Sequence, residues 1–168
     1  MSSLAVETDR LRLVPFTQDL LDALDEGVPA EALAGAAVPA GWPDEELAGL
    51  LQLYRGWLRD DPSIVGWGPW AVVAREANAV AGSAGFVGAP QGGAVEIGYG
   101  IVPAQRNRGF ATEAVRALVG WALGHPNVDR VIATCDVSNT ASVRVLEKAG
   151  FTCVGRDGDS VAWSTATP

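Results

Sequence analysis

The stretch Glu96-Ile-Gly-Tyr-Gly-Ile-Val-Pro-Ala-Gln-Arg-Asn-Arg-Gly-Phe-Ala-Thr-Glu113 decides the fold. It reads as a strand stopped by Pro103, a short basic and glycine-containing turn, and the start of a long helix. Within it, Arg106-Asn-Arg-Gly-Phe-Ala111 fits the pattern [Arg/Gln]-x-x-Gly-x-[Gly/Ala]. A turn of this kind leaves several main-chain N–H groups without partners at the positive end of a helix dipole, where a pyrophosphate is favoured. Arg106 and Arg108 add positive charge locally. The competing reading is an ordinary strand-to-helix turn with solvated arginines. A Walker loop is excluded because no Gly-Lys-Ser/Thr follows, and the Gly-x-Gly-x-x-Gly spacing of a dinucleotide site is missing.

Outward from this segment, the chain alternates strands and helices. Toward the N-terminus, Ala94 to Val102 pairs by pattern with a strand over Val80 to Gly88 through the hairpin signal Gln91-Gly-Gly93. Trp70 to Arg75 reads as a further strand, and Leu11 to Pro15 as the first one. Between those two, Thr17 caps a helix over Gln18 to Glu26, and Pro43 or Asp44 opens a helix running toward Arg59. Toward the C-terminus, the helix from Gly109 to Leu123 ends at Gly124-His-Pro126. An apolar strand follows over Arg130 to Asp136, then a helix from Asn139 to Ala149. Two last strands, Phe151 to Gly155 and Ser160 to Thr165, are joined by Arg156-Asp-Gly-Asp159. No linker or repeat divides the chain, so one domain over residues 1–168 is expected.

Asp136 to Phe151 is the second informative segment. Asn139 suits a helix cap, or it turns its amide toward a ligand at the helix start; Ser142 lies one turn further on. Pro103 prevents the strand before it from pairing further. A sheet that splays there leaves main-chain groups of Ile101 and Val102 for an extended ligand.

Composition limits the alternatives. The chain has 168 residues, 48% hydrophobic and 19% charged, with a formal net charge of −8. That charge argues against binding nucleic acid through phosphate contacts. No apolar run has the length of a membrane span and no leader pattern is visible, so a cytoplasmic protein is expected. Cys135 and Cys153 lack metal-ligand spacing to each other or to His125 and read as buried free thiols; His125 reads as a helix-end residue.

Together these segments resemble the GNAT superfamily of N-acetyltransferases, in its RimJ/RimL branch. Thr8-Asp-Arg-Leu-Arg-Leu13 is similar to the branch's opening strand, Glu96 to Glu113 to its acyl-CoA motif, and Asn139 to Phe151 to its last helix and following strand. The resemblance implies an α/β (α+β) fold: a mixed, mostly antiparallel seven-stranded sheet, splayed between strands four and five, with helices on both faces. It implies acetyl-CoA as donor and direct attack by a primary amine, on a protein N-terminus or a small molecule; a longer acyl donor such as succinyl-CoA stays open. The amides of Arg108, Gly109, Phe110, Ala111 and Thr112 would hold the pyrophosphate. Ile101, Val102 and Asn139 would hold the pantetheine arm. Glu96 would serve as base, and Ser142 or a water would reprotonate the leaving thiolate, because Leu146 stands where many relatives carry a tyrosine. Tyr99 is a further candidate for that role. The acceptor side would come from residues 16 to 69, with Trp42, Trp67 and Trp70 as aromatic candidates, and from the final hairpin. A homodimer is compatible with the resemblance, though no stripe demands one. Two alternatives stay open: an acyl-CoA-binding module without chemistry, and a nucleotide-phosphate binder that prefers ATP.

Overall fold

Helix caps and strand alternation shape the chain locally, and one interrupted parallel pairing shapes it globally. The computed structural model describes residues 4–29 and 33–166. Among these, eight strands form one sheet: β1 (Val6–Glu7), β2 (Leu11–Pro15), β3 (Pro69–Ala74), β4 (Ala79–Phe86), β5 (Ala94–Ile101), β6 (Arg130–Asp136), β7 (Thr152–Asp157) and β8 (Ser160–Ser164). Four α-helices accompany them: α1 (Gln18–Asp25), α2 (Glu45–Asp60), α3 (Phe110–Leu123) and α4 (Thr140–Lys148). The expected sheet of seven strands is thus one of eight. The addition is β1, whose two residues are too few to make a visible alternation but pair with Leu13 and Arg12.

Three of the four helices start on a side-chain cap. Thr17 accepts from Leu20 N, Asp44 from Leu47 N and Asn139 from Ser142 N, each satisfying a helix-start N–H. Glu45 and Glu46 in the first turn of α2, and Arg59 in its last, complement the helix dipole. α3 has no such cap. Its preceding residue, Gly109, lies at φ 78°, a left-handed conformation that glycine adopts without a Cβ clash.

The strand order is β1-β2-β3-β4-β5-β6-β8-β7. Every neighbouring pair is antiparallel except β5 and β6, which α3 connects as a parallel crossover. Alternation sends Leu11, Leu13, Trp70, Val72, Phe86, Val95 and Ile97 to the face covered by α3 and α4, where they meet Val115, Leu118 and Leu146. The opposite face buries Ala71, Val73 and Val80 against Leu20 and Leu21 of α1 and Leu47, Leu51 and Tyr54 of α2. Lying between both layers, β3 is buried along its whole length.

The tryptophans divide by these layers. Trp70 is fully buried, and Trp67 packs against Phe86 and Trp121 with ring centroids 5.5 and 4.7 Å apart. Both belong to the core beneath α3. Trp42 packs on Phe16 at 6.1 Å and lines a cavity of about 500 Å³ beside α1 and α2 with Leu24, Val38 and Leu51. His125 caps the aromatic group, 4.4 Å from the Trp121 ring, with Nδ1 2.9 Å from Trp121 O.

The reading of both cysteines as buried thiols needs correction: Cys135 is half-buried and Cys153 is exposed. The reason is topological. β8 inserts between β6 and β7, so β7 becomes an edge strand whose six residues are all exposed.

Candidate functional site

β5 and β6 stay paired for only three residues, Ala94 with Arg130, Val95 with Val131 and Glu96 with Ile132. Beyond Glu96 they diverge. β5 continues along β4 up to the Ile101–Gly82 pair, while β6 continues along β8 up to the Asp136–Ser160 pair. The wedge between them is the expected splay: strands four and five of the sequence reading are β5 and β6.

Which main-chain groups line the wedge follows from the register of β5 on β4. Val87 N donates to Glu96 O and Val102 N donates to Ala81 O. In an antiparallel pair, bonded and non-bonded residues alternate, so Glu96, Gly98, Gly100 and Val102 turn their main-chain groups toward β4. Ile97, Tyr99 and Ile101 turn theirs toward the wedge. The main-chain N–H of Ile101 therefore faces the wedge. That of Val102, placed there too by the sequence reading, does not: it is bonded to Ala81, and the Val102 carbonyl accepts from Gln105 N. Tyr99 takes its place. Ile101 O also accepts from Arg106 Nε at 3.0 Å, which folds the first basic residue of the turn back onto the strand end.

Past the short 3₁₀ turn at Pro103–Gln105, Asn107 (φ 63°) and Gly109 (φ 78°) both adopt left-handed conformations. Two such residues so close together bend the main chain into a concave nest of N–H groups. Among the described residues, the N–H groups of Asn107, Arg108, Gly109, Phe110, Ala111 and Thr112 have no protein partner. The first α3 bond of regular type is Glu113 N to Gly109 O. An uncapped helix start with this many free donors suits a diphosphate, by hydrogen bonding and by dipole.

A residue not singled out by sequence reasoning holds the turn in place. Arg10, in the β1–β2 turn, donates from Nη1 to Arg108 O at 2.6 Å and from Nε to Glu113 Oε2 at 2.7 Å. Its guanidinium also lies 4.9 Å from the centre of the Phe110 ring. Thr8 Oγ1 and Arg10 N donate to the other oxygen of Glu113, at 2.6 and 2.9 Å. Burial pushes the Glu113 carboxyl upward, but the bonds from Thr8 and Arg10 and the guanidinium charge outweigh it and hold the group below its ordinary value. A groove of about 650 Å³ runs alongside, lined by Thr8, Arg10, Gly109, Thr112, Arg116 and Lys148 among others. In sequence, Thr8-Asp-Arg10 reads as part of a segment that resembles an opening strand, with no role at the turn. Its link to Glu113 spans more than a hundred residues, and no local pattern announces it.

The two candidate catalytic residues flank the wedge on opposite faces of the sheet. Glu96 closes its narrow end on the α1–α2 face, where it accepts from Thr134 Oγ1 of β6 at 3.1 Å. Gly98 and Gly100 follow on the same face without side chains and leave it open. On the α3–α4 face, Ser142 is half-buried in the first turn of α4, with Oγ 2.7 Å from Tyr99 OH. Burial raises the Tyr99 pKa, the bond to Ser142 opposes that rise, and neighbouring Cys135 adds to it. The phenol therefore stays protonated across the neutral range. Leu146 is 1% exposed and belongs to the core, so that position offers no proton. Asn139 is exposed; its Oδ1 caps α4, and its Nδ2 is left for another partner.

A family model described as "Acetyltransferase (GNAT) domain" matches residues 10–152. The chain is 30% identical over 164 residues to an uncharacterized N-acetyltransferase, YjdG, of Bacillus subtilis (strain 168), spanning 96% of this chain and 98% of that one. Its structure is similar to that of a protein described as a GnaT-family acetyltransferase from Bordetella pertussis, with TM-score 0.65, 26% identity, and 96% and 99% of the two chains covered. It also shares its fold with RimL, a ribosomal-protein alpha-N-acetyltransferase solved in complex with coenzyme A (TM-score 0.64, 18% identity, 95% and 96% covered). The unpaired amides around Gly109, the wedge that opens beyond Glu96, and these matches over nearly the full length lead to one conclusion: the chain belongs to the GNAT family of acetyl-CoA-dependent N-acetyltransferases.

Proposed function

We propose that residues 1–168 act as a single acyltransferase domain that moves the acetyl group of acetyl-CoA onto a primary amine, with Glu96 as base and Ser142 as the group facing the departing sulfur. The acceptor is a protein N-terminus or a small amine, and the setting is cytoplasmic. Among the described residues no helix is long and apolar enough to cross a membrane. The observation that carries the reading is the placement of Glu96 and Ser142 on opposite faces of one wedge whose far end meets the unpaired amides of Asn107 to Thr112.

When bound, the thioester supplies an activated acyl carbon. The chain supplies the rest. The amides of Arg108, Gly109, Phe110, Ala111 and Thr112 bind the diphosphate, with Arg106 and Arg108 adding charge. Ile101 and Tyr99 offer main-chain groups to the pantetheine arm, and the Asn139 amide offers Nδ2. Glu96 accepts a proton from the incoming ammonium on the open Gly98–Gly100 face, directly or through a water. Entry from one face and departure from the other keep base and acid apart.

The test is release of free CoA with a panel of amines and N-terminal peptides, for the native chain and for Glu96→Gln. Loss of a general base lowers kcat by about 10²–10⁴, while CoA binding is retained. Tight CoA binding with no turnover on any amine would instead establish a binding module, and preference for ATP over CoA a nucleotide-phosphate site. The homodimer expectation is decided separately, by light scattering on the eluting peak.

A further inference from the structure

Two pairs of residues are joined by side-chain hydrogen bonds across the wedge among the described residues. One, Thr134 to Glu96, lies at its closed end on the α1–α2 face. The other lies further out on the opposite face and joins β5 to α4: the Tyr99 hydroxyl sits 2.7 Å from Ser142 Oγ and 3.2 Å from Ser142 O. In the second, one phenol engages both the side chain and the carbonyl of the same serine. It therefore fixes the first turn of α4 relative to β5; its single hydrogen serves the carbonyl or Oγ in turn, and when it is donated to Oγ the serine hydrogen is free to point into the wedge. Asn139 Oδ1 holds Ser142 N at 3.1 Å from the other side. Ser142 is thereby clamped at its amide, its carbonyl and its hydroxyl.

Core packing alone does not account for this. A tyrosine whose task is to fill the space beneath α3 has no need of its hydroxyl at a helix start, and the neighbouring residues on its face, Val95 and Ile97, do the filling as plain aliphatics. Tyr99 is half-buried, while Val95 and Ile97 are buried. Its main chain faces the wedge, so both halves of the residue border the space between the strands.

We infer that Tyr99 is a positioning residue for transfer, acting through Ser142: it aims the Ser142 hydroxyl at the departing sulfur and replaces the proton that Ser142 gives up. The inference rests on the acyltransfer reading above. The amine arrives neutral, having left one proton on Glu96; as its nitrogen bonds to the acyl carbon, the C–S electron pair goes to sulfur, the nitrogen passes its surplus proton to water, and Glu96 releases its own to solvent. Ser142 gives its proton to that sulfur and takes the phenol proton of Tyr99 in the same shift, and water restores the phenol. The thiol, the amide and an unchanged enzyme result.

The experiment uses Tyr99→Phe, Ser142→Ala and the double variant, with CoA release measured against acetyl-CoA concentration at saturating amine. Tyr99→Phe keeps the ring and its packing, so the melting temperature is expected to stay within about two degrees. kcat is expected to fall about a hundredfold, with KM for acetyl-CoA unchanged within twofold. Because Tyr99 acts through Ser142, the double variant is expected to be no slower than Ser142→Ala alone. An unchanged kcat in Tyr99→Phe would overturn the inference, and so would a double variant slower by the product of the two single effects. A rise in KM without loss of kcat would overturn it too, since it would mark a binding role. A native chain that binds CoA but turns over no amine removes the acyltransfer reading itself and this inference with it. That outcome is distinguishable, because it appears before any substitution is made.

Discussion

Gly109→Ala is the sharpest test of the anion turn. Gly109 lies at φ 78°, and an L side chain there costs about 1–2 kcal/mol. The added Cβ would also stand 3.2 Å from Arg10 Nη2. That guanidinium can shift by a few tenths of an ångström, but it is tied to Arg108 O and to Glu113, and weakening one such bond costs about 1 kcal/mol. The total is about 2–3 kcal/mol, or a melting temperature lower by about 4–12 °C for a chain of this size. Relaxation of the turn would scatter the amides of Asn107 to Thr112. The dissociation constant for CoA, measured by calorimetry, should then rise at least about tenfold, equivalent to about 1.4 kcal/mol. Gly92→Ala is the matched control. Gly92 lies at φ 58° and an added Cβ would meet nothing within 4 Å, so the same left-handed strain falls on a hairpin away from the wedge. It should lower the melting temperature and leave CoA affinity intact. If Gly109→Ala also leaves CoA affinity intact, the idea that the N–H groups around Gly109 bind the diphosphate is wrong.

Two further outcomes follow from the Arg10 network. Arg10→Ala removes the bond to Arg108 O and the cover over Phe110; its ion pair with Glu113 adds little, since the Arg10 side chain is 49% exposed. KM for acetyl-CoA should rise severalfold with KM for the amine unchanged. Arg75→Ala, which releases Thr8 O and Glu7 in the same segment without touching the turn, should not do this; equal losses in both variants would refute the specific role. Glu113 also makes stability depend on acid. Its folded pKa lies below the ordinary 4.5, so its stabilisation is fully present above about pH 4.5 and is lost as pH falls through the lower folded value. Thermal melts of Glu113→Gln between pH 7 and pH 2.5 should show a shallower decline below pH 4.5 than the native chain; parallel curves would contradict the assignment.

Local physics made much of this protein legible from residue order alone. Thr17 and Asn139 cap the helices they were expected to cap, and of Pro43 and Asp44, both offered as the opening of the second helix, Asp44 is the cap, because a cap is a contact within three residues. The strand-turn-helix from Glu96 to Glu113 is equally local. Its glycine sits where the chain must turn left-handed, and its unpaired amides follow from the start of any helix. Tertiary structure decided what depends on register and on partners far along the chain. The pairing of β5 with β4 turned Val102 away from the wedge and Tyr99 toward it, since a shift of one residue exchanges the two edges of a strand. Insertion of β8 between β6 and β7 exposed Cys153, although its sequence neighbours read as a buried run. The hold of Arg10 on Glu113 and the Tyr99–Ser142 bond join residues 103 and 43 positions apart. Such contacts exist only once the sheet is assembled, because their geometry is set by the packing of whole elements and not by the preferences of neighbouring residues.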